Sequence, residues 1–337
     1  MTNPPDRPPT GVATGVGSMP GTDPRTAVEI IAGEVGLVHL PELPARGLGA
    51  DMIGRSAALL VDMPMDVTPS GYRLRTGGST MGRQARDMLR VDIDALEEIW
   101  ETRGLGGPDR WVKVQLCGPF TLAASVEVGG GHKALHDRGA WSDLVDSIAE
   151  GAATHAAEIR RRLGAQVLVQ FDEPLLDRVI EGSIRPLSRL DVINPVPSQV
   201  VAEHIDALID IVGGPVLLHH CGERFPWHTV AQTKLWGVSL DMAHVRSANL
   251  DGLGEFLDGG SVVALGAVPS TDPGRELPAE HVVASVTEIV DTIGLSHDVF
   301  ADQMIITPAC GLAGADAAWA KQALALATAV ATALPQQ

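Results

Sequence analysis

The chain has little cysteine, little positive charge and no long apolar run, and each shortage excludes something. Three cysteines in 337 residues are an odd number for a disulfide framework, so each thiol reads as buried, catalytic or metal-binding. Only 25 Lys+Arg stand against 42 Asp+Glu, a formal net charge of −17. Such a balance argues against a sequence-independent grip on nucleic acid or on an anionic membrane. No apolar run reaches the roughly 18 residues of a membrane span. The start, MTNPPDRPPTG, is proline-rich and polar where a secretory signal would be apolar, so a cytoplasmic location is expected. A dinucleotide loop is missing as well: GVGSMPG is only a partial match to the glycine spacing that a doubly wound sheet would carry after its first strand.

What is present is core-forming material, with 45% hydrophobic and 20% charged residues. Residues 1–10 hold four prolines and read as a disordered tail, leaving 11–337 as one domain. Eight short apolar runs suit buried parallel strands: 11–18, 37–42, 111–117, 166–172, 215–221, 237–241, 262–268 and 304–310. Between them lie stretches of helical period, near 81–103, 142–163, 197–212, 249–258, 278–293 and 315–333, with another after Asp23 that has Pro24 in its first turn. Eight βα units predict a (β/α)₈ TIM barrel. The segment 64–79 (PMDVTPSGYRLRTGGS), between the second and third strands, reads as a long loop of the kind that covers a site.

In such a barrel reactive side chains gather where strands end. Those ends carry Ser18, Glu42, Cys117, Asp172 with Glu173, His219 to Cys221, Asp241 and Cys310, so all three thiols are among them. In LLHHC, side chains alternate along the strand, which puts His219 and Cys221 on one face and His220 on the other. With Asp241 and Cys310 they make a candidate tetrahedral zinc set, in which His220 or Cys117 could substitute. Two thiolates favour zinc over magnesium or calcium. QFDEP closes its strand with two carboxylates, at least one of which should point into the mouth, the plainer role for either being a cap or loop anchor. Ser18 offers a hydroxyl and nearby backbone N–H groups suited to a carboxylate.

Taken in order, GVGSMP, CGPFT at 117–121, QFDEP at 170–174, HHC at 219–221, SLD at 239–241 and PACGL at 308–312 resemble the catalytic barrel of cobalamin-independent methionine synthases, in a short single-barrel form. The resemblance implies a methyltransferase of methionine biosynthesis that uses Zn2+ held by His219, Cys221, Asp241 and Cys310, with homocysteine as the expected thiol. It further implies that Ser18 holds the homocysteine carboxylate while Asp172 and Glu42 receive its ammonium group. The spacing around Glu42, in LPELPARGLGADM, departs from the family's usual stretch.

Other departures bear on the donor. Members that use methyltetrahydrofolate carry a Trp a few residues after the GPxT turn, where this chain has Ser125, and an acid just after D-E-P, where it has Arg178. These two positions point to methylcobalamin, free or on a partner corrinoid protein, with methyltetrahydrofolate as the alternative. The family's proton-donating His after strand seven is replaced by Thr271 or Asp272, and Asp241 stands where a Glu is usual. The alternatives are a uroporphyrinogen decarboxylase-like enzyme, which needs basic residues for substrate carboxylates and fits a −17 chain poorly, and a zinc-binding relative without turnover.

Strand alternation makes one prediction at once. His219→Ala should lose bound zinc and His220→Ala should keep it, as read by metal analysis of purified protein; the reverse result would show the register of this strand to be wrong.

Overall fold

A computed structural model describes residues 7–188 and 191–336. Residues 1–6 of the expected tail lie outside the described residues. Among the described residues nine strands are formed: β1 (Val12–Ala13), β2 (Met65–Thr68), β3 (Gly71–Leu74), β4 (Trp111–Cys117), β5 (Gln166–Asp172), β6 (Val216–His219), β7 (Gly237–Asp241), β8 (Val262–Val268) and β9 (Met304–Pro308). Seven run parallel in the order β1-β9-β8-β7-β6-β5-β4. The eighth stave is the segment 37–42, whose backbone reaches both open edges. Leu37 N–H donates to Ala13 O (3.0 Å) and Glu42 N–H to Gly17 O (3.2 Å) on one side, while Lys113 N–H donates to Val38 O (2.9 Å) and Leu40 N–H to Lys113 O (3.0 Å) on the other. The ring therefore closes as a TIM barrel, which leaves no sheet edge to protect.

Each expected helix forms, and the ends follow ordinary capping chemistry. Pro24–Glu34 starts where the Asp23 carboxylate accepts from the Arg25 and Thr26 N–H groups, with Pro24 in the first turn. Arg138–Leu163 ends on Gly164 at φ 59, a left-handed position glycine takes without a Cβ penalty. The last helix with its terminal turn, Ala317–Gln336, is long and apolar enough to cross a membrane by composition. Half of that stretch is buried, with Trp319, Ala320, Ala323, Leu324, Ala327 and Val330 turned into the core, as in an outer-ring helix packed on its barrel.

The segment 64–79 corrects its expectation as a loop. It carries the antiparallel hairpin β2–β3, with Met65 opposite Leu74 and the turn at Pro69–Ser70. Short-range alternation in MDVT and GYRL outweighs the flanking Pro, Gly and Ser. The hairpin is tied to the excursion after β4, because Leu74 N–H donates to Glu127 O and Glu127 N–H to Tyr72 O, both at 2.8 Å. The Arg73 guanidinium pairs with the buried Glu127 carboxylate, and the Tyr72 hydroxyl donates to Asp51.

Two apolar layers fill the structure. One lies between the strands and the outer helices. The other closes the N-terminal end of the barrel interior with Leu37, Trp111, Leu168, Leu217, Val262 and Ile305. Above that plug the interior turns polar, with Thr14, His39, Lys113, Gln115, Gln170, Ser239 and Thr307 all buried. That inner layer departs from the branched apolar filling usual in such barrels.

One contact tests the outer packing. A Cβ at Gly151, inside the helix Arg138–Leu163, would lie 1.9 Å from the Leu59 carbonyl oxygen, and backbone cannot swing aside as a side chain can. The roughly 1 kcal/mol of helix propensity that alanine adds is outweighed by the overpacking. Gly151→Ala should lower stability by about 1–3 kcal/mol in thermal or denaturant unfolding; a variant as stable as the parent would contradict this contact.

Candidate active site

The barrel mouth is built by strand register. Ser18 bridges Glu42 across adjacent staves, Cys117 sits beside Asp172, Asp172 beside His219, and His219 beside Ser239. The turn after β9 closes the circle, because Leu312 N–H donates to Ser18 O at 2.8 Å and a Cβ at Gly311 would strike the Ser18 hydroxyl. Ser18, Glu42, Asp172, His219, Cys221 and Cys310 thus share one rim.

Within that rim His219, Cys221 and Cys310 converge, with ligand atoms all within 4.8 Å of one another. The two sulfurs lie 3.6 Å apart as free thiols. His219 Nδ1 is held by the Ser239 hydroxyl at 2.8 Å, and its buried Nε2 has no hydrogen-bond partner. A buried imidazole nitrogen without a partner is costly, and a cation is the kind of group that removes the cost here. Contact with Cys221 and then with His219 holds the Cys310 thiol well below its ordinary range, while Cys310 and burial push Cys221 up. Turning both sulfurs into thiolates at that distance would need a positive charge between them. The donor set fits zinc, with Ser239 orienting the imidazole from behind.

The other candidates fall elsewhere. His220 points to the opposite face, with Nδ1 bonded to Glu173 O at 2.7 Å and its ring edge-on to Phe225. Cys117 is fully buried at the end of β4, its Sγ 3.5 Å from Gly118 O, and burial drives its thiol pKa far up. Neither joins the group of three. Asp241 ends β7, where its Oδ1 accepts from Ala243 N–H at 2.8 Å and Oδ2 lies 3.8 Å from His244 Nε2; it is not in that group either.

Asp172 and Glu173 divide as neighbours on a strand should. Glu173 turns outward and accepts from Phe120 N–H (2.8 Å), Thr121 N–H (2.8 Å) and the Thr121 hydroxyl (2.6 Å), so it caps the helix Pro119–Ser125. Burial nevertheless raises its pKa to about 7. Asp172 faces the barrel, and its Oδ1 accepts from Gln170 Nε2 at 2.7 Å. Glu42 is also buried; desolvation raises its pKa, against the pull of Arg55, whose Nε is 3.8 Å from Glu42 Oε1. Met19 N–H, next to Ser18, is already taken by Glu42 O at 2.8 Å, and the following helix begins only at Pro24. The Met19 N–H is therefore not free for a ligand.

Sequence reasoning missed the groups below the rim. Lys113 is completely buried, and its ammonium donates to Val16 O and Gln170 Oε1, both at 2.8 Å. Desolvation lowers its pKa, and the carboxylates of Asp172 and Glu42 pull it back. The available signal was parity: Lys113 and Gln115 share one face of an otherwise apolar strand, as do Gln170 and Asp172. Ser125 and Arg178, the two positions bearing on the donor, lie on the short helices Pro119–Ser125 and Leu176–Glu181 that follow β4 and β5.

Residues 11–333 match the family described as cobalamin-independent synthase, catalytic domain. Among solved structures the chain is similar to a B12-independent methionine synthase from Shewanella sp. W3-18-1 in complex with selenomethionine, at 13% identity over 97% of this chain and 98% of that one, with a TM-score of 0.62. It is also similar to a methyltransferase from Methanosarcina mazei (16% identity, 99% and 95% coverage, TM-score 0.57). A putative vitamin-B12 independent methionine synthase from Listeria monocytogenes gives 16% identity, 96% and 98% coverage and a TM-score of 0.55. At these identities the likeness shows the fold. No curated protein matches the chain.

Proposed function

Because the chain belongs to the cobalamin-independent synthase catalytic-domain family, we propose that it is a zinc-dependent methyltransferase that moves a methyl group to the thiol of homocysteine and forms methionine. The observation that carries this reading is the convergence of His219, Cys221 and Cys310, with a buried imidazole nitrogen left without a partner beside two sulfurs 3.6 Å apart. Asp241 is the proposed fourth ligand of the substrate-free site. Zinc, when bound, supplies the charge that converts a substrate thiol, with a free pKa of about 8.5, into a thiolate at neutral pH.

The chain's own residues do the rest by placement. Ser239 fixes the His219 ring, so the imidazole is spent on the metal and not on a solvent hydrogen bond. Asp172 and Glu42 receive the substrate ammonium group, and Ser18 its carboxylate, from the adjoining arc of the rim. This orientation sends the homocysteine sulfur toward the two cysteines. The bond that forms joins that sulfur to the methyl carbon. The bond that breaks joins the methyl to its donor, which keeps the electron pair and takes up from solvent one proton in exchange for the one that the substrate thiol gave to solvent. Positioning carries the rate, with no protein nucleophile.

The family description, cobalamin-independent, gives no support to methylcobalamin or to a corrinoid protein as donor. Methyltetrahydrofolate is therefore the donor to try first, with methylcobalamin as the comparison. Zinc-loaded protein given homocysteine should form methionine from methyltetrahydrofolate; no product from either donor would overturn the proposal. Asp172→Asn should weaken homocysteine binding by about tenfold or more, the cost of one charged hydrogen bond, with zinc content unchanged. Unaltered affinity in that variant would remove Asp172 from the substrate site.

A further inference from the structure

A lysine at the centre of a closed barrel is expensive, since an ammonium group taken out of water must recover its hydrogen bonds or lose its charge. Lys113 recovers them by an arrangement that reaches the rim. Its Nζ donates to Val16 O (2.8 Å) and Gln170 Oε1 (2.8 Å), with Gln115 Oε1 at 3.4 Å. Because the Gln170 oxygen is held by the ammonium group, its NH2 must face the other way. It donates there to Asp172 Oδ1 (2.7 Å) and to the same Val16 O (2.9 Å). A flipped amide would set its oxygen against the Asp172 carboxylate and its NH2 against the lysine, two repulsions in place of two bonds. Val16 lies two residues before Ser18, so one carbonyl ties the lysine and the glutamine to the turn that carries the serine.

We propose that Lys113 and Gln170 form a buried strut that positions Asp172 to receive the ammonium group of the thiol substrate. This rests on the homocysteine reading above and assigns Lys113 and Gln170 as positioning residues, because neither is placed in contact with substrate. The charges agree with the role. Lys113 is attracted by both Asp172 and Glu42, and the other ionisable neighbour, His39, is kept neutral by burial and by the lysine's own charge. Glu42 also has Arg55 Nε at 3.8 Å, which leaves Asp172 as the carboxylate that meets the substrate's ammonium group first.

The test compares homocysteine with its des-amino analogue, 4-mercaptobutanoate, which keeps the thiol and the carboxylate and lacks the ammonium group. Calorimetric titration of zinc-loaded protein gives the ratio of the two dissociation constants. The parent should favour homocysteine by at least about tenfold, as one charge-assisted bond provides. Lys113→Met should bring the ratio close to one while leaving zinc content and affinity for the analogue as in the parent. A simple loss of folding would weaken both ligands together. Gln170→Met leaves the lysine with Val16 O and Gln115 and carries the same expectation if the lysine variant does not fold. A folded, zinc-loaded variant of either kind that keeps the parent's ratio overturns the strut. A parent that shows no preference overturns the homocysteine reading first and the strut with it.

Discussion

Polar side chains on the inner face of a closed barrel can be buried only if they satisfy one another, and the mouth of this protein depends on that constraint. Alternation along β4 and β5 puts Lys113, Gln115, Gln170 and Asp172 on barrel-facing positions. Lone ammonium, amide and carboxylate groups in that space would each be costly. Joined, they bond in sequence from Lys113 through Gln170 to Asp172, with Val16 O as a shared acceptor. The apolar plug beneath them lets this layer form without opening the barrel floor to water.

A second consequence appears across the rim. His219 and Asp172 are register neighbours, so the polar layer and the sulfur-rich cluster share a boundary. On one side of it, the run from Lys113 through Gln170 to Asp172 is joined by hydrogen bonds. On the other, His219 Nε2 is buried without a partner and two thiols face each other. In the proposed function the bonded groups position the head group of an amino-acid thiol and the unsatisfied ones hold the metal that meets its sulfur.

Much of the architecture was legible in the sequence because parallel strands buried on both faces read as short apolar runs, and because caps such as Asp23–Pro24 mark helix starts. The alternation in LLHHC separated His219 from His220, and the structure gives the two rings opposite surroundings. The hairpin at 65–74 was obscured by flanking Pro, Gly and Ser. The strut was harder to see for a different reason: Lys113 and Gln170 are 57 positions apart, and their pairing exists only once β4 and β5 are in register. Asp241 shows the converse limit. Its place at a strand end was correct, but a carboxylate just before a tight turn is also the natural acceptor for the turn's own N–H, and Ala243 takes it.

The central claim is that His219, Cys221 and Cys310 hold a zinc whose fourth position, proposed for Asp241 in the substrate-free protein, takes the substrate's sulfur. X-ray absorption at the zinc edge, on the metal-loaded full chain with and without homocysteine, reads it directly. The account predicts two sulfur scatterers at about 2.3 Å in the substrate-free protein and three when homocysteine is present. A sulfur count that stays at two on saturation with homocysteine, or a substrate-free site without sulfur, would contradict it.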